Sequence, residues 1–168
     1  MEGTMTHDPH LTPSETMRAN SRWHGLIKDI LLNEAEPGHN DTAISSDREQ
    51  SAYLPYLMTA LTLVVVEHFS GERPGQDQIS KFVDELRVFE HDAGREFNSA
   101  EAKAIIHAAI NETDLTQLFT SEADAIAAGH HVLWSLSAAT PGIKADVGRL
   151  MGDIDEAYQV AVANTPSG

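Results

Sequence analysis

The chain has 168 residues, no cysteine and a formal net charge of −15 at pH 7. Its length suits one domain with a sizeable core, and a hydrophobic content of 41% excludes global disorder. Without cysteine, disulfides and thiolate metal sites are excluded, and the composition fits a reducing, cytoplasmic compartment. The 11 lysine and arginine residues form no basic cluster, so no nucleic-acid partner is predicted.

The N-terminal region is predicted to contain a tail, a helix and a linker. Residues 1–11 have the composition of a flexible tail and lack the features of a signal peptide. Thr12-Pro-Ser-Glu15 forms a capping box that starts a helix over residues 12–36. The polar residues 37–50 form a linker, so the helix is predicted to be an arm that packs on its own chain or on a second copy. Its apolar residues recur at helical spacing: Trp23, Leu26, Ile27, Ile30 and Leu31.

An apolar helix is predicted at about residues 53–69. Pro55 is placed near its start, because a proline in a helix interior costs about 3 kcal/mol. The segment has almost no polar face, which is typical of a helix in the middle of a bundle. It is shorter than the roughly 20 apolar residues of a membrane span, so no membrane partner is predicted.

The third and fourth helices are predicted from breaker and capping residues. The third begins after Pro74-Gly75 and ends near Asp92. The fourth begins after Asn98, in a variant of the capping box that Glu101 completes. A short helical turn is expected between Asp114 and Phe119.

Two further helices complete the predicted bundle core of residues 51–163, and residues 164–168 are expected to fray. Ser121 caps the fifth helix, which ends before Pro141, and the sixth continues to Val162. No segment has the apolar–polar alternation of a half-buried strand. The sequence therefore predicts an all-α protein, a single bundle of five to six helices with a central apolar helix and an N-terminal helical arm.

Nine histidines invite a metal hypothesis, but the helical motifs that would support it are missing from the sequence. There is no His-Glu-x-x-His. The one Glu-x-x-His, Glu36 to His39, contains Pro-Gly and therefore belongs to a loop. This excludes a di-iron carboxylate bundle, which needs that pair twice on helices. No cofactor is predicted.

The dipeptide His91-Asp92 is similar to the His-Asp doublet of the HD phosphohydrolases, an all-helical, metal-dependent family. The resemblance covers little beyond the doublet, and the apolar run that usually precedes it in the family is replaced by a polar helix end. It implies a divalent ion held by His68, His91, Asp92 and Asp146 or Asp153, which would activate a water molecule towards a phosphate. The alternative interpretation is a solvated helix end with His91 near the negative pole of the helix dipole.

A second candidate site surrounds His130 and Trp134, which share a helix face. Gly129 lies beside them and costs about 1 kcal/mol relative to alanine in a helix interior. The glycine therefore serves close packing or leaves room for a bound molecule. Two interpretations remain open: a half-buried His130 stacked on Trp134, or a small-molecule pocket lined by His107, His130 and Trp134.

The sequence favours a non-enzymatic protein that acts by binding another protein or itself. It contains no nucleophile elbow, phosphate-binding loop or dinucleotide-binding motif. The apolar stripe of the N-terminal helix must be buried, and a homodimer results if it crosses to a second chain. The alternatives are the HD-type phosphohydrolase and a helical domain that senses a small molecule.

Overall fold

A computed structural model describes residues 13–34, 44, 46–69, 72, 74–92, 94, 98–111, 113 and 115–163. Every regular element in these ranges is helical and none is a strand, which confirms the predicted all-α class. The tails 1–11 and 164–168, the cap Thr12 and most of the linker 37–50 lie outside the described residues. The elements are α1 (Pro13–Leu31), α2 (Asp47–His68), α3 (Gln76–Asp92), α4 (Ser99–Ile110), a 3-10 turn (Leu115–Leu118), α5 (Glu122–Ala139), α6 (Pro141–Ala145) and α7 (Val147–Ala163).

Two predicted caps are present at the starts of α4 and α5. The side chain of Asn98 accepts the N–H of Glu101 at 3.0 Å. The side chain of Ser121 accepts the N–H of Asp124 at 3.1 Å. Each satisfies a backbone donor that has no partner inside its helix, and so fixes the residue at which the helix begins.

The helix α2 begins earlier than predicted, because a cap lies in the segment assigned to the linker. Ser46 Oγ accepts the N–H of Glu49 at 3.1 Å, and the helix therefore starts at Asp47. As a result, Pro55 lies inside the helix rather than near its start. A proline has no N–H, so the carbonyl of Ser51, four residues earlier, lacks its usual helical donor.

The helix α1 ends at Leu31, before the predicted boundary, because Asn33 adopts a left-handed conformation with a φ of 58°. The N–H of Glu34 donates to the carbonyl of Asp29 at 2.9 Å. The N–H of Asn33 donates to the carbonyl of Ile30 at 3.0 Å. These two bonds form a Schellman motif, with asparagine in the place that glycine usually takes.

The predicted sixth helix is divided at Asp146, so the described part contains seven α-helices rather than five or six. Asp146 follows α6, and its carbonyl accepts the N–H of Leu150 at 3.0 Å in the first turn of α7. Arg149 donates to the carboxylates of Asp146 at 2.7 Å and Asp153 at 2.8 Å. Aspartate favours helix ends, because its short polar side chain competes for nearby backbone groups.

The helices α2 and α5 organise the packing. The first contacts α1, α4, α5, α6 and α7, and the second contacts α1, α2, α3, α4 and α6. Eleven residues of α5 are buried, compared with eight of α2. Pro55 is exposed, and Met58 and Thr59 are only partly buried. One face of α2 is therefore open, which differs from the predicted helix with no exposed side.

The apolar stripe of α1 is buried within its own chain. Trp23 and Ile27 are fully buried, and α1 packs against α2, α5 and α7. Near its end, Ser137 Oγ donates to the carbonyl of Leu31. Burial of the stripe therefore needs no second copy of the chain, and the argument from this stripe to a homodimer loses its basis.

Gly129 serves close packing between α2 and α5. A Cβ atom at this position would lie 2.8 Å from Cδ2 and 3.3 Å from Cγ of Leu57. Leu57 is fully buried, so its side chain has little space into which to move. This contact supports the first of the two roles that the sequence suggested for the glycine.

Replacing Gly129 with alanine is expected to lower the free energy of unfolding by about 1 kcal/mol, as measured by urea denaturation. Overpacking a core costs about 1–3 kcal/mol, which exceeds the gain of about 1 kcal/mol in helix propensity. The control is Gly152→Ala in α7, where no atom lies within 4 Å of the added Cβ. It should raise stability by up to about 1 kcal/mol. Equal stabilisation by both changes would contradict the close approach at Gly129.

Candidate functional site

His130 lies in the core rather than in an open pocket. It is 1% exposed, and its Nε2 lies 2.7 Å from the Oη atom of Tyr53 on α2. The two rings meet edge to face, with centroids 5.6 Å apart. Trp134 is buried one turn later, and His107 is partly buried on α4. None of the three residues of the predicted pocket lines either of the two cavities described below.

His68, one of the implied metal ligands, is held by protein groups. Its Nδ1 lies 2.7 Å from Oγ1 of Thr140, and its ring centroid is 3.9 Å from that of Phe82. Phe69 contacts the same ring edge to face at 4.8 Å. Burial lowers the pKa of His68 below its ordinary value of 6.5, against a smaller opposing effect of Glu85.

The other implied ligands do not form a metal centre with it. His91 and Asp92 are exposed in the last turn of α3, and Asp146 and Asp153 both accept hydrogen bonds from Arg149. Across the part of the chain that the structure describes, no group of three or more histidines or carboxylates could hold a metal ion. The HD-type phosphohydrolase therefore gains no support from the geometry.

Four aromatic rings that the sequence analysis did not bring together form a cluster between α1, α2 and α7. The rings belong to Trp23, Tyr53, Tyr56 and Tyr158, and the centroids of contacting pairs lie 5.1 to 6.3 Å apart. Trp23 Nε1 donates to a carboxylate oxygen of Glu49 at 3.0 Å, so the indole is both buried and hydrogen-bonded. The cluster fixes α1 on the body of the protein.

Asp155 of α7 extends this cluster. Its Oδ1 accepts a hydrogen bond from Tyr56 Oη at 2.6 Å, and its Oδ2 lies 2.6 Å from Nδ1 of His24. Burial, followed by the hydrogen bond to Asp155, raises the pKa of Tyr56 well above its ordinary value. The carboxylate thus joins α1, α2 and α7, and its role here is to position helices.

An open groove runs along the exposed face of α2. Its volume is about 510 Å3, within the range of about 300–1,000 Å3 that is common for ligand sites. The part of α2 that lines the groove extends from Ser51 to Leu63, a length of roughly 18 Å at 1.5 Å per residue. We call it the α2–α7 groove; it is lined by Ser51, Leu54, Pro55, Met58, Thr59, Thr62, Leu63, Thr113, Thr116, Glu122, Ala157 and Ala161.

Apolar groups dominate the side of this groove that α2 forms. Leu54, Met58 and Leu63 lie beside two threonines whose hydroxyl groups are already engaged. Thr59 Oγ1 donates to the carbonyl of Pro55 at 2.9 Å, and Thr62 Oγ1 lies 2.9 Å from the carbonyls of both Met58 and Ala109. Since both hydroxyl protons are used by backbone carbonyls of the protein, the threonines present mainly their methyl groups to an incoming molecule.

The polar end of the groove is formed by Ser51 and Glu122. Ser51 Oγ lies 2.8 and 2.9 Å from the two carboxylate oxygens of Glu122, which joins α2 to the first turn of α5. Glu122 is the one titratable side chain among the described residues that line the groove. The described part of the lining therefore contains no pair of titratable side chains for acid–base catalysis.

A second cavity, of about 490 Å3, lies between α4, the 3-10 turn and α5. Its lining includes Leu118 and Phe119 together with the carboxylates Glu101 and Asp124. It lacks the continuous apolar side that α2 gives to the α2–α7 groove. We therefore take the α2–α7 groove as the candidate functional site.

The sequence contained a partial signal for this groove. Pro55, Thr59 and Thr62 recur at steps of four and three residues, the spacing of one helix face. This weakly polar stripe interrupts an otherwise apolar segment, and it marks the side of α2 that is not packed in the core. The second wall, from Ala157 and Ala161, depends on tertiary packing that no local pattern specifies.

None of the described helices combines the length and the apolar character that crossing a membrane requires. No protein-family model matches the chain, and no curated protein and no solved structure matches it significantly. Function is therefore inferred from the chemistry and geometry of this chain.

The environment of His68 predicts a loss of stability in mild acid. Because its pKa is lowered on folding, its contribution is present above pH 6.5 and is lost as the pH falls below that value. From about pH 7.5 to about pH 5.5, the free energy of unfolding should fall less in His68→Asn than in the wild type. The control Gln159→Asn, on the exposed surface of α7, changes no titratable group and should retain the wild-type slope. Identical slopes in all three proteins would contradict the lowered pKa.

Proposed function

We propose that this protein is a non-enzymatic helical binding protein, and that the α2–α7 groove receives an apolar segment of a partner protein. The observation that carries the proposal is an open groove of about 510 Å3 on a helix whose other faces are buried. Grooves between helices are a recurrent site for an amphipathic helix, whose apolar side chains fill the space at intervals of three and four residues.

The exposed apolar surface supports this proposal. Met58 and Leu63 are only partly buried, although the helix that carries them lies against the core. Apolar surface that remains in contact with water loses the stabilisation that burial would provide. A partner segment in the groove would remove this surface from water, which gives a driving force for binding.

The charge of the chain favours a different protein over a second copy as the partner. A net charge of −15 produces repulsion between copies, whereas it attracts a basic partner. The predicted homodimer through α1 is therefore an alternative outcome, which light scattering after size-exclusion chromatography would detect. A cytoplasmic location stays part of the proposal, because the chain contains no cysteine to oxidise.

Blocking the groove is expected to weaken binding strongly. Helical peptides selected from a display library against the wild-type protein serve as probes. Ala161, which is exposed and lines the groove, is replaced with tryptophan. Its indole should occupy the space, and the affinity of the selected peptides, measured by calorimetry, should fall by about tenfold or more.

The matched control is Val160→Trp. Val160 is the preceding residue, is 54% exposed and does not line the groove. The control should retain wild-type affinity, and both variants should keep the wild-type circular dichroism spectrum. Peptides that bind all three proteins equally well would place the interaction elsewhere and contradict the proposal.

A further inference from the structure

We propose that the segment bound in the α2–α7 groove presents a basic side chain to Glu122, next to the apolar side chains that fill the rest of the groove. The inference depends on the proposed function and specifies the chemistry of the partner. Three observations support it. The Glu122 carboxylate can accept further hydrogen bonds, the carbonyl of Ser51 lacks its usual helical donor because of Pro55, and the lining carries a negative charge.

The carboxylate of Glu122 can accept more hydrogen bonds than it receives from Ser51. Ser51 Oγ has one proton to donate and lies 2.8 and 2.9 Å from the two carboxylate oxygens. An ionised carboxylate has about four lone-pair sites and accepts from a guanidinium group with both oxygens. A lysine ammonium or an arginine guanidinium can therefore bind Glu122 while the bond to Ser51 persists.

The carbonyl of Ser51 lacks its usual donor from residue 55 and belongs to a residue that lines the same end of the groove. Pro55 lies inside α2 and has no N–H to donate to it. Ser51 and Pro55 both line the groove, so the break in the helical hydrogen bonds coincides with the site. A cation with several N–H groups satisfies a carboxylate and a carbonyl together, which a neutral apolar group cannot do.

The charges around this end also favour a basic group. Among the described residues that line the groove, Glu122 is acidic and none is basic, so this lining supplies no cation that competes for its carboxylate. The net charge of −15 adds a long-range attraction for a basic partner. An apolar side flanked by one carboxylate is complementary to an amphipathic helix with a lysine or arginine at one end of its apolar face.

The inference can be tested with two small probes that share an octyl chain and differ in the head group, one charged and one neutral. The n-octylammonium ion carries the alkyl stem and ammonium group of a lysine side chain, and 1-octanol has the same chain with a neutral end. Dissociation constants are measured from backbone amide shifts of groove residues in ¹H–¹⁵N spectra. We expect octylammonium to bind about fivefold tighter than octanol, the scale of a partly exposed ion pair.

The key variant is Glu122→Gln, which keeps the size and the acceptor oxygen but removes the charge. It should lower the affinity ratio of the two probes to below about two, because the charge is lost and only neutral acceptors remain, with octanol binding unchanged. The matched control is Glu156→Gln, on the exposed surface of α7 and outside the groove lining. It removes the same charge from the chain, so a general attraction of cations to an acidic protein would affect both variants alike.

Pro55→Ala tests the contribution of the Ser51 carbonyl. Alanine supplies the missing N–H, so the carbonyl becomes engaged within α2. The preference for octylammonium should fall to between the wild-type value and that of Glu122→Gln. Thermal stability should rise, because an interior proline is removed. If Pro55→Ala retains the wild-type preference for octylammonium, the Ser51 carbonyl does not contribute to binding the ammonium group.

The outcomes separate this inference from the proposed function. If both probes bind the wild-type groove equally well and Glu122→Gln changes neither, the basic side chain is ruled out while apolar binding remains. If neither probe shifts the groove amides, the inference and the apolar site of the proposed function both fail. If Glu156→Gln removes the preference as fully as Glu122→Gln does, the attraction is general and the inference is overturned.

Discussion

The contact between Leu57 and Gly129 sets the distance at which α2 and α5 pack, and much of the structure depends on it. The absence of a side chain at Gly129 lets the buried leucine lie against the backbone of α5. This face of α2 is therefore buried in the core. Pro55, Thr59 and Thr62 lie roughly 140° to 160° away around the helix, at 100° per residue. They form the outer face, which explains how a helix so rich in apolar residues also forms the wall of an open groove.

The local elements of the fold could be predicted where the signal lies in adjacent residues. Asn98 and Ser121 cap helices in the structure as the sequence indicates, because a cap needs one side chain and a backbone N–H three residues later. Ser46 has the same signal with Glu49, but a polar stretch around it suggested a linker. The early end of α1 at the left-handed Asn33 could not be predicted. Asparagine adopts this conformation more readily than most residues, but it also occurs within helices.

The candidate site was much less predictable, because it depends on how helices are placed relative to one another. His130 faces Tyr53 across the α2–α5 interface, which only the register of those two helices determines. The sequence could not separate a buried histidine from a ligand-binding one, since both lie on a face with apolar residues. The groove needs Glu122 of α5 to meet Ser51 of α2, a contact between residues 71 positions apart. By contrast, the role of Gly129 in close packing was one of two options that the sequence offered.

The central claim, that the open face of α2 is a binding surface, can be tested directly through the methionines. The chain contains five, and Met58 lies in the α2–α7 groove, whereas Met151 is buried in the core. With ¹³C-labelled methionine methyl groups, intermolecular nuclear Overhauser effects are recorded in the complex with a selected helical peptide. We predict cross-peaks between the Met58 methyl group and apolar side chains of the peptide. Cross-peaks from other methionines, with none from Met58, would contradict the account.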